Sequence, residues 1–289
     1  FLDFRNKLNK LNKKSYVVAV SGGPDSLGLV ALTKAYTNYK KTRFYYVLID
    51  HNIRKNSKKE AHLVRNLLKK KSINLRVILN KKKIFKNIQA EARKTRYDLL
   101  TNFCKIKKCK TILTAHNLED QVETFFIRLS RGSGLKGLSA MKTLTKIKSQ
   151  VSLYRPFLDV KKKFLTKISK YAFGEYFKDP SNTDMKYLRT KVRNLKKPLE
   201  KSGIKYEQIF KSIQNLSMSK NTLDQYLNKI FKELIKRVNS EIVINFTKFR
   251  HLNDDTKMAL INESVKQLKK NYYDLRSSKV NNLIKNLNK

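Results

Sequence analysis

Residues 15–26 read Ser-Tyr-Val-Val-Ala-Val-Ser-Gly-Gly-Pro-Asp-Ser, and this segment limits the fold more than any other. A β-branched apolar run at 16–20 stops at Ser21-Gly22-Gly23. Apolar residues then recur at Leu27, Leu29, Val30 and Leu32 with helical spacing. Strand, small-residue turn and helix in that order predict an anion cradle. The glycines let backbone N–H groups approach an oxyanion with no Cβ in the way. The first helical turn adds partial positive charge. Asp25 offers a carboxylate where a magnesium ion bridging phosphates needs an oxygen ligand. The phosphate loop Gly-x-x-x-x-Gly-Lys-Ser/Thr is excluded, because the chain holds no Gly-Lys pair. The plain alternative is a Gly-Gly turn closing any buried strand.

Strand and helix signals alternate through the first half. Strands are expected at 16–20, 44–49, 75–79 and 111–114, and helices at 26–36, 58–70, 89–105 and 118–130. Near-continuous apolar strands alternating with helices imply a parallel, doubly wound α/β sheet of Rossmann-like type. Ligands of such sheets sit beyond the carboxyl ends of the strands. Gly132, Gly134 and Gly137 form the tightest glycine cluster. Helices are expected at 161–173 and from 185 towards Pro198, with a turn at 178–182. Pro198 and Gly203 suggest a boundary, giving a catalytic domain over 1–200 and a smaller, mostly helical domain over 201–289. Apolar residues at helical spacing over 209–234, a helix at 258–268 and one strand at 242–246 fill the second domain, and the chain has no internal repeats.

A second acidic site begins where the fourth strand ends, at His116-Asn117-Leu118-Glu119-Asp120-Gln121-Val122-Glu123-Thr124. Three acids within five residues stand out in a chain with only 22. Asn117 is an N-cap candidate with Asp120 in the first turn. Val122, Phe125, Phe126 and Leu129 form one stripe, expected to face the core, and His116, Asp120 and Glu123 project on roughly the other side. The cluster suits magnesium or a cationic substrate. The plain alternative is acids that complement the helix dipole.

The net charge is +44, from 66 basic and 22 acidic residues, which favours a polyanionic partner such as nucleic acid. Lysine supplies 51 of the 66, so an AT-rich genome accounts for part of the excess. No stretch approaches the ~18–20 apolar residues of a membrane span. Cys104 and Cys109 have no partner Cys or His nearby in the sequence, matching neither a metal site nor a disulfide framework, so a reducing cytoplasm is expected. The chain begins at Phe1 rather than Met, which leaves room for a piece of a longer protein.

Ser21-Gly22-Gly23-Pro24-Asp25-Ser26 resembles the pyrophosphate loop of the N-type ATP pyrophosphatases (the PP-loop superfamily), which split ATP to AMP and pyrophosphate. Ala115 through Thr124 resembles the pattern Ala-His-x-x-Asp-Asp-Gln-x-Glu-Thr, and the stretch from Arg128 to Leu138 its Arg-Gly-Ser-Gly-Leu-x-Gly-Leu sequel. Asp50-His51-Asn52-Ile53-Arg54, Glu91-Ala92-Arg93 with Arg96 and Tyr97, Arg155-Pro156-Phe157-Leu158 and Asp179-Pro180-Ser181-Asn182 match further signatures. Over about residues 15–200 these motifs, in this order, resemble tRNA(Ile)-lysidine synthetase. Departures are Glu119 for an aspartate, Asn52 for a glycine, Thr190 for an asparagine and Lys178 for an acid.

The resemblance implies an enzyme that adenylates the wobble cytosine of the CAU-anticodon isoleucine tRNA and then lets the ε-amine of L-lysine displace AMP. It implies ATP and magnesium as cofactors, with Ser21, Gly22, Gly23, Pro24, Asp25 and Ser26 at the nucleotide and Asp25 at the metal. Asp120 and Glu123 would receive lysine, and a neighbouring carboxylate or His116 its proton. Arg93, Arg96, Arg189 and Arg193 would contact tRNA, Arg96 at the target nucleotide. A surface ion pair is the plain alternative for each arginine. The helical remainder would be the tRNA-binding domain, with room for a further C-terminal domain and for a homodimer. The rival readings are a PP-loop tRNA thiolase, which needs catalytic or cluster-binding cysteines, a non-catalytic RNA-binding relative, and a small-molecule ligase or amidase of the same superfamily that needs no tRNA.

Overall fold

The computed structural model describes residues 1–53, 56–82, 84–85, 87–147, 150–177, 184–268 and 277–287. The elements of the first compact unit, residues 1–214, begin with α1 (Leu2–Leu11), β1 (Ser15–Val20), α2 (Pro24–Tyr39), β2 (Arg43–Asp50), α3 (Ser57–Lys69) and β3 (Leu75–Leu79). There follow α4 (Ile88–Ile106), β4 (Thr111–Leu113), α5 (Leu118–Leu129), α6 (Leu135–Leu138), β5 (Leu144–Lys146), β6 (Ser152–Tyr154) and α7 (Lys162–Phe173). Then come α8 (Leu188–Asn194), α9 (Lys196–Lys201) and the first part of α10 (Tyr206–Leu234).

Six strands form one sheet in the order β3-β2-β1-β4-β6-β5. All pairs are parallel except β5 with β6. The alternation of side chains along β1 and β2 shows why helices must cover both faces. Tyr16, Val18, Val20, Tyr46 and Leu48 pack into one core with residues of α1, α2, α3 and α7. Val17, Val47, Ile112 and Leu153 pack into the other with Leu100 and Cys104 of α4. Burying one such side chain is worth about 1.5–3 kcal/mol, so neither face can be left wet. The doubly wound α/β expectation holds, and strand order reverses between β1 and β4, where ligands of such sheets bind.

Several elements go beyond the sequence expectation. Residues 2–11 form a helix whose Phe4 and Leu8 are buried, where the sequence showed only a basic N-terminus. The three-residue strands β5 and β6 extend the sheet. The helix expected from 185 to Pro198 is two helices, and Pro198 sits in the first turn of α9, where its missing N–H costs no helical bond.

The division between compact units falls after Gln214, inside α10. The second unit has its own core of Ile230, Leu234, Ile235, Phe249, Leu260, Ile261, Val280 and Ile284. Its strands are an antiparallel hairpin, β7 (Ile235–Val238) with β8 (Glu241–Ile244), turned by Asn239 at φ 53°. Helices α11 (Phe246–Arg250), α12 (Asp254–Leu268) and α13 (Ser277–Leu287) complete it.

Candidate active site

At the carboxyl end of β1 the chain makes the turn that the glycines predict. Gly22 has φ +81°, and a Cβ there would lie 2.5 Å from Val64 Cγ2, so both backbone and packing require glycine. Its carbonyl accepts the Phe177 N–H at 3.0 Å. Ser26 Oγ donates to the Gly23 carbonyl at 3.0 Å and accepts from Ser21 N–H at 3.2 Å, while the two serine hydroxyls meet at 3.1 Å. The loop is thus tied to itself. Gly23 is the N-cap of α2 and offers no side-chain cap, and Pro24 opens the first turn. The N–H groups that begin α2 therefore meet no capping side chain and can take an anion.

Asp25 in that first turn is a polar group without full compensation. Its Oδ1 is buried with no hydrogen-bond partner. Burial, aided by Asp120 and Glu119, raises its carboxyl to about 6, against the pull of Lys162. Lys162 Nζ stands 3.7 Å from Asp25 Oδ2. An orphaned carboxylate oxygen beside an anion cradle fits a magnesium ion whose other oxygens come from phosphate and water. The described residues contain no cluster of three or more His, Cys, Asp or Glu that could hold a metal by themselves.

The second acidic site starts α5 with a capping box. Asn117 Oδ1 accepts the Asp120 N–H at 3.0 Å, and Asp120 Oδ2 accepts the Asn117 N–H at 3.1 Å. Asp120 therefore serves the helix end, yet its Oδ1 also reaches Arg189 Nη2 at 3.5 Å. Glu119 accepts the backbone N–H of Lys162 at 2.8 Å and pairs with Lys196 at 3.3 Å. Glu123 is 2% exposed and is held by Arg193 Nε at 2.7 Å, Arg193 Nη2 at 3.1 Å and Arg189 Nε at 2.8 Å. The predicted lysine-binding acid and two predicted tRNA-binding arginines thus form one ionic hub that ties α8 to α5. Of the expected core stripe, Val122 is buried, Phe125 and Phe126 pack partly against Tyr206, Ile209 and Ile213, and Leu129 is exposed.

A concentration of guanidinium groups surrounds His116 at the end of β4. Burial and then the charges of Arg155, Arg93, Arg189 and Arg96 push its imidazole down to about 3, so it is neutral at pH 7. Its Nδ1 meets Thr114 Oγ1 at 2.9 Å. Arg96 Nε approaches His51 Nε2 at 3.4 Å, and burial with that charge lowers His51 to about 4. Arg93 lies over the Tyr97 ring, 5.1 Å from its centroid. Arg128 organises the glycine cluster by donating to the Gly137 and Ala140 carbonyls at 2.6 and 2.8 Å.

The structure thus brings Ser21–Ser26, Asp25, His116, Asp120 and Glu123 to the carboxyl ends of β1 and β4, with Arg93 and Arg96 reaching in from α4. Sequence reasoning passed over Arg155 and Lys162 as site residues. Arg155 is 6% exposed and donates to the Lys142 carbonyl at 2.7 Å and Thr145 Oγ1 at 2.9 Å. An arginine directly after an apolar strand was its signal. Lys162 had none, being one of three consecutive lysines. The Asp179-Pro180-Ser181-Asn182 motif, Lys178 and Arg54 lie outside the described residues.

The cysteines lie elsewhere. Cys109 Sγ contacts the carbonyls of Ser15 at 3.3 Å and Thr111 at 3.5 Å, the first residues of β1 and β4. They are buried at the amino end of the sheet, about 17 Å of strand from the glycine loop at ~3.3 Å per residue.

Comparison with known proteins agrees with this geometry. Residues 2–199 match the PP-loop domain family. A tRNA(Ile)-lysidine synthase of Wolbachia pipientis wMel is 32% identical over 281 residues, covering 95% of this chain and 65% of that protein. One from the Wolbachia of Brugia malayi is 31% identical over 293 residues, covering 100% and 67%. One from Orientia tsutsugamushi is 40% identical over 185 residues, covering 63% and 41%. The chain thus spans between about two fifths and two thirds of the length of these relatives. Among solved structures, the U34-tRNA thiolase NcsA from Methanococcus maripaludis with its [4Fe-4S] cluster superposes with a TM-score of 0.62 at 17% identity, covering 75% of this chain and 78% of that one, a likeness of fold. With its pyrophosphate-type loop, its acidic α5 and these relatives, the chain belongs to the tRNA(Ile)-lysidine synthase family of PP-loop proteins.

Proposed function

We propose that this chain carries the catalytic part of a tRNA(Ile)-lysidine synthase. It joins L-lysine to the wobble cytidine of the CAU-anticodon isoleucine tRNA, with ATP converted to AMP and pyrophosphate. The observation that carries this reading is the convergence at one strand-end cleft of an anion cradle, an acidic helix start and an arginine cluster. Those are the three binding chemistries the reaction needs. Ser21, Gly22, Gly23, Pro24 and Ser26 hold the pyrophosphate portion of ATP, with Asp25 as the protein ligand of magnesium. The metal would offset charge on the departing pyrophosphate. Arg96 and Arg93 grip the target nucleotide, and Arg189 and Arg193 stand ready for neighbouring phosphates from their anchor on Glu123.

Asp120 and Glu123 offer carboxylate oxygens to the lysine ammonium, which would share them with Arg189 and Arg193. Asp120 is the more accessible of the two to a substrate, its side chain being 20% exposed against 3% for Glu123. His116, neutral and ringed by guanidinium groups, orients rather than deprotonates. The excess of lysine supplies affinity for RNA, with a log K against log salt slope of roughly −0.7 to −0.9 per phosphate neutralised. No helix of the described residues is long and apolar enough to cross a membrane, and the substrates place the reaction in the cytoplasm. The residues after 214 would contribute to tRNA binding. A thiolase reading is disfavoured by the burial of both cysteines at the far end of the sheet.

The test is pyrophosphate release from ATP and magnesium with L-lysine and tRNA each present or omitted, alongside incorporation of labelled lysine. Incorporation confined to the CAU-anticodon isoleucine tRNA supports the assignment. Release of pyrophosphate without lysine transfer retains the ATP chemistry and rejects the substrates.

A further inference from the structure

Lys162 has a placement that its sequence context gives no hint of. It is the first residue of α7, and Glu119 Oε2 accepts its backbone N–H at 2.8 Å. Helix α7 lies against α2 at glycine distance, since a Cβ on Gly28 would stand 2.9 Å from the Leu165 carbonyl oxygen. Those two restraints put the side chain of Lys162 beside the first turn of α2, where its Nζ is 3.7 Å from Asp25 Oδ2. The side chain is 41% exposed, so the ammonium can swing while the backbone stays fixed.

We propose that Lys162 is a nucleotide-binding residue of this site, donating from its ammonium to a phosphate oxygen of ATP when the triphosphate occupies the cradle. The inference rests on the reading above that the cradle holds ATP. Three facts support it. The loop lacks the lysine that the Gly-Lys type of phosphate loop carries within itself, so any side-chain cation at the phosphates comes from another element. The Asp25 carboxylate cannot satisfy both a magnesium ion and an ammonium at short range without the two cations repelling one another. A triphosphate beside them gives the ammonium the more highly charged acceptor, and such charge-assisted bonds are the strong ones. Lys162 would then exchange Asp25 for phosphate as nucleotide enters.

Equilibrium binding of ATP, with and without magnesium, tests this on the wild type, Lys162→Ala, Lys162→Arg and the control Lys170→Ala on the exposed face of the same helix. Removing one charge-assisted bond should weaken ATP binding about ten-fold or more in Lys162→Ala. Lys162→Arg, which keeps the positive charge, should bind ATP more tightly than Lys162→Ala, and Lys170→Ala should be unchanged. In steady state, Lys162→Ala should raise KM for ATP and leave KM for L-lysine alone. Glu119 holds the backbone of Lys162 and not its side chain, so the truncated variant keeps its helix start, which a thermal melt verifies. Wild-type affinity in Lys162→Ala overturns the proposal, and so does an equal loss in Lys170→Ala, which would mark a general charge effect. A wild type that binds ATP but transfers no lysine to tRNA rejects the wider reading and leaves the Lys162 result standing. A wild type that binds no ATP rejects both.

Discussion

The carboxyl and amino ends of the central sheet are made by the same strands, yet one end gathers titratable side chains and the other buries apolar residues and two cysteines. At the amino end, Cys104 and Cys109 are buried among Val17, Ile112 and Leu153, and Cys109 Sγ finds two backbone carbonyls. At the carboxyl end, Asp25 Oδ1, His51 Nδ1 and Arg155 Nε are buried without partners. A positive-φ glycine turns the chain there, and two imidazoles are held far below their usual range. Unsatisfied buried groups cost stability. Others occur elsewhere, on Arg5, Ser57, Ser169 and Tyr206, but these three gather at the end that carries the glycine loop, where a ligand could supply the missing partners.

Substitutions at the two ends should therefore separate activity from stability. The largest effect is expected for Asp25→Ala, which should lower pyrophosphate release by about a hundred- to a thousand-fold without unfolding the chain. Retained turnover would end the assignment of this end as catalytic. Next is Glu123→Ala, which strands Arg189 and Arg193. Each guanidinium is about one third exposed, so the loss in a denaturant titration should be about 2–3 kcal/mol, below the ~3–5 of a fully buried pair. A loss under about 0.5 kcal/mol would reduce the hub to a surface ion pair.

Asp25→Asn tests strain directly. The folded carboxyl is raised from 3.8 to about 6, so the folded state holds its proton more tightly than the unfolded one. Its stabilising contribution is full below pH ~4 and is lost as pH rises through 6. Relative to Asp25→Asn, the wild type should lose on the order of 2 kcal/mol between pH 4 and 8. Parallel pH profiles of the two proteins would show that Asp25 is not strained. The smallest effect belongs to the amino end. Cys109→Ala should cost about 1 kcal/mol of stability and leave pyrophosphate release unchanged, whereas a thiolase mechanism would lose its activity.

How much of this was legible in the sequence follows from what each feature depends on. The parallel core strands were legible because burial on both faces forces unbroken apolar runs such as 16–20. Strands β5 and β6 were not, since three residues carry no period and Leu144-Thr145-Lys146 holds a single apolar side chain. Helix α1 was obscured by lysines that leave only Phe4 and Leu8 on its buried face. At the site, the Ser-Gly-Gly turn and the Asn117 cap were readable as local chemistry. The pairing of Glu123 with Arg189 and Arg193 spans about seventy residues of chain, and no local pattern announces it. Lys162 was hidden for the same reason. Its partners, Asp25 and Glu119, come from two other helices.

The close approach of α7 to Gly28 has a consequence for how this cleft could be altered from a distance. Helix α2 begins at the glycine loop and α7 begins at Lys162, so the two helices act as the arms of a caliper whose pivot is the Gly28–Leu165 crossing. A single methyl group at Gly28 would sit 2.9 Å from a backbone oxygen, which is too near to be accommodated by rotating a side chain. The arms would have to part by a few tenths of an ångström. The opening would be felt at their tips, where the Lys162 ammonium now stands 3.7 Å from the Asp25 carboxylate. A residue that touches no substrate thereby sets the gauge of the cleft.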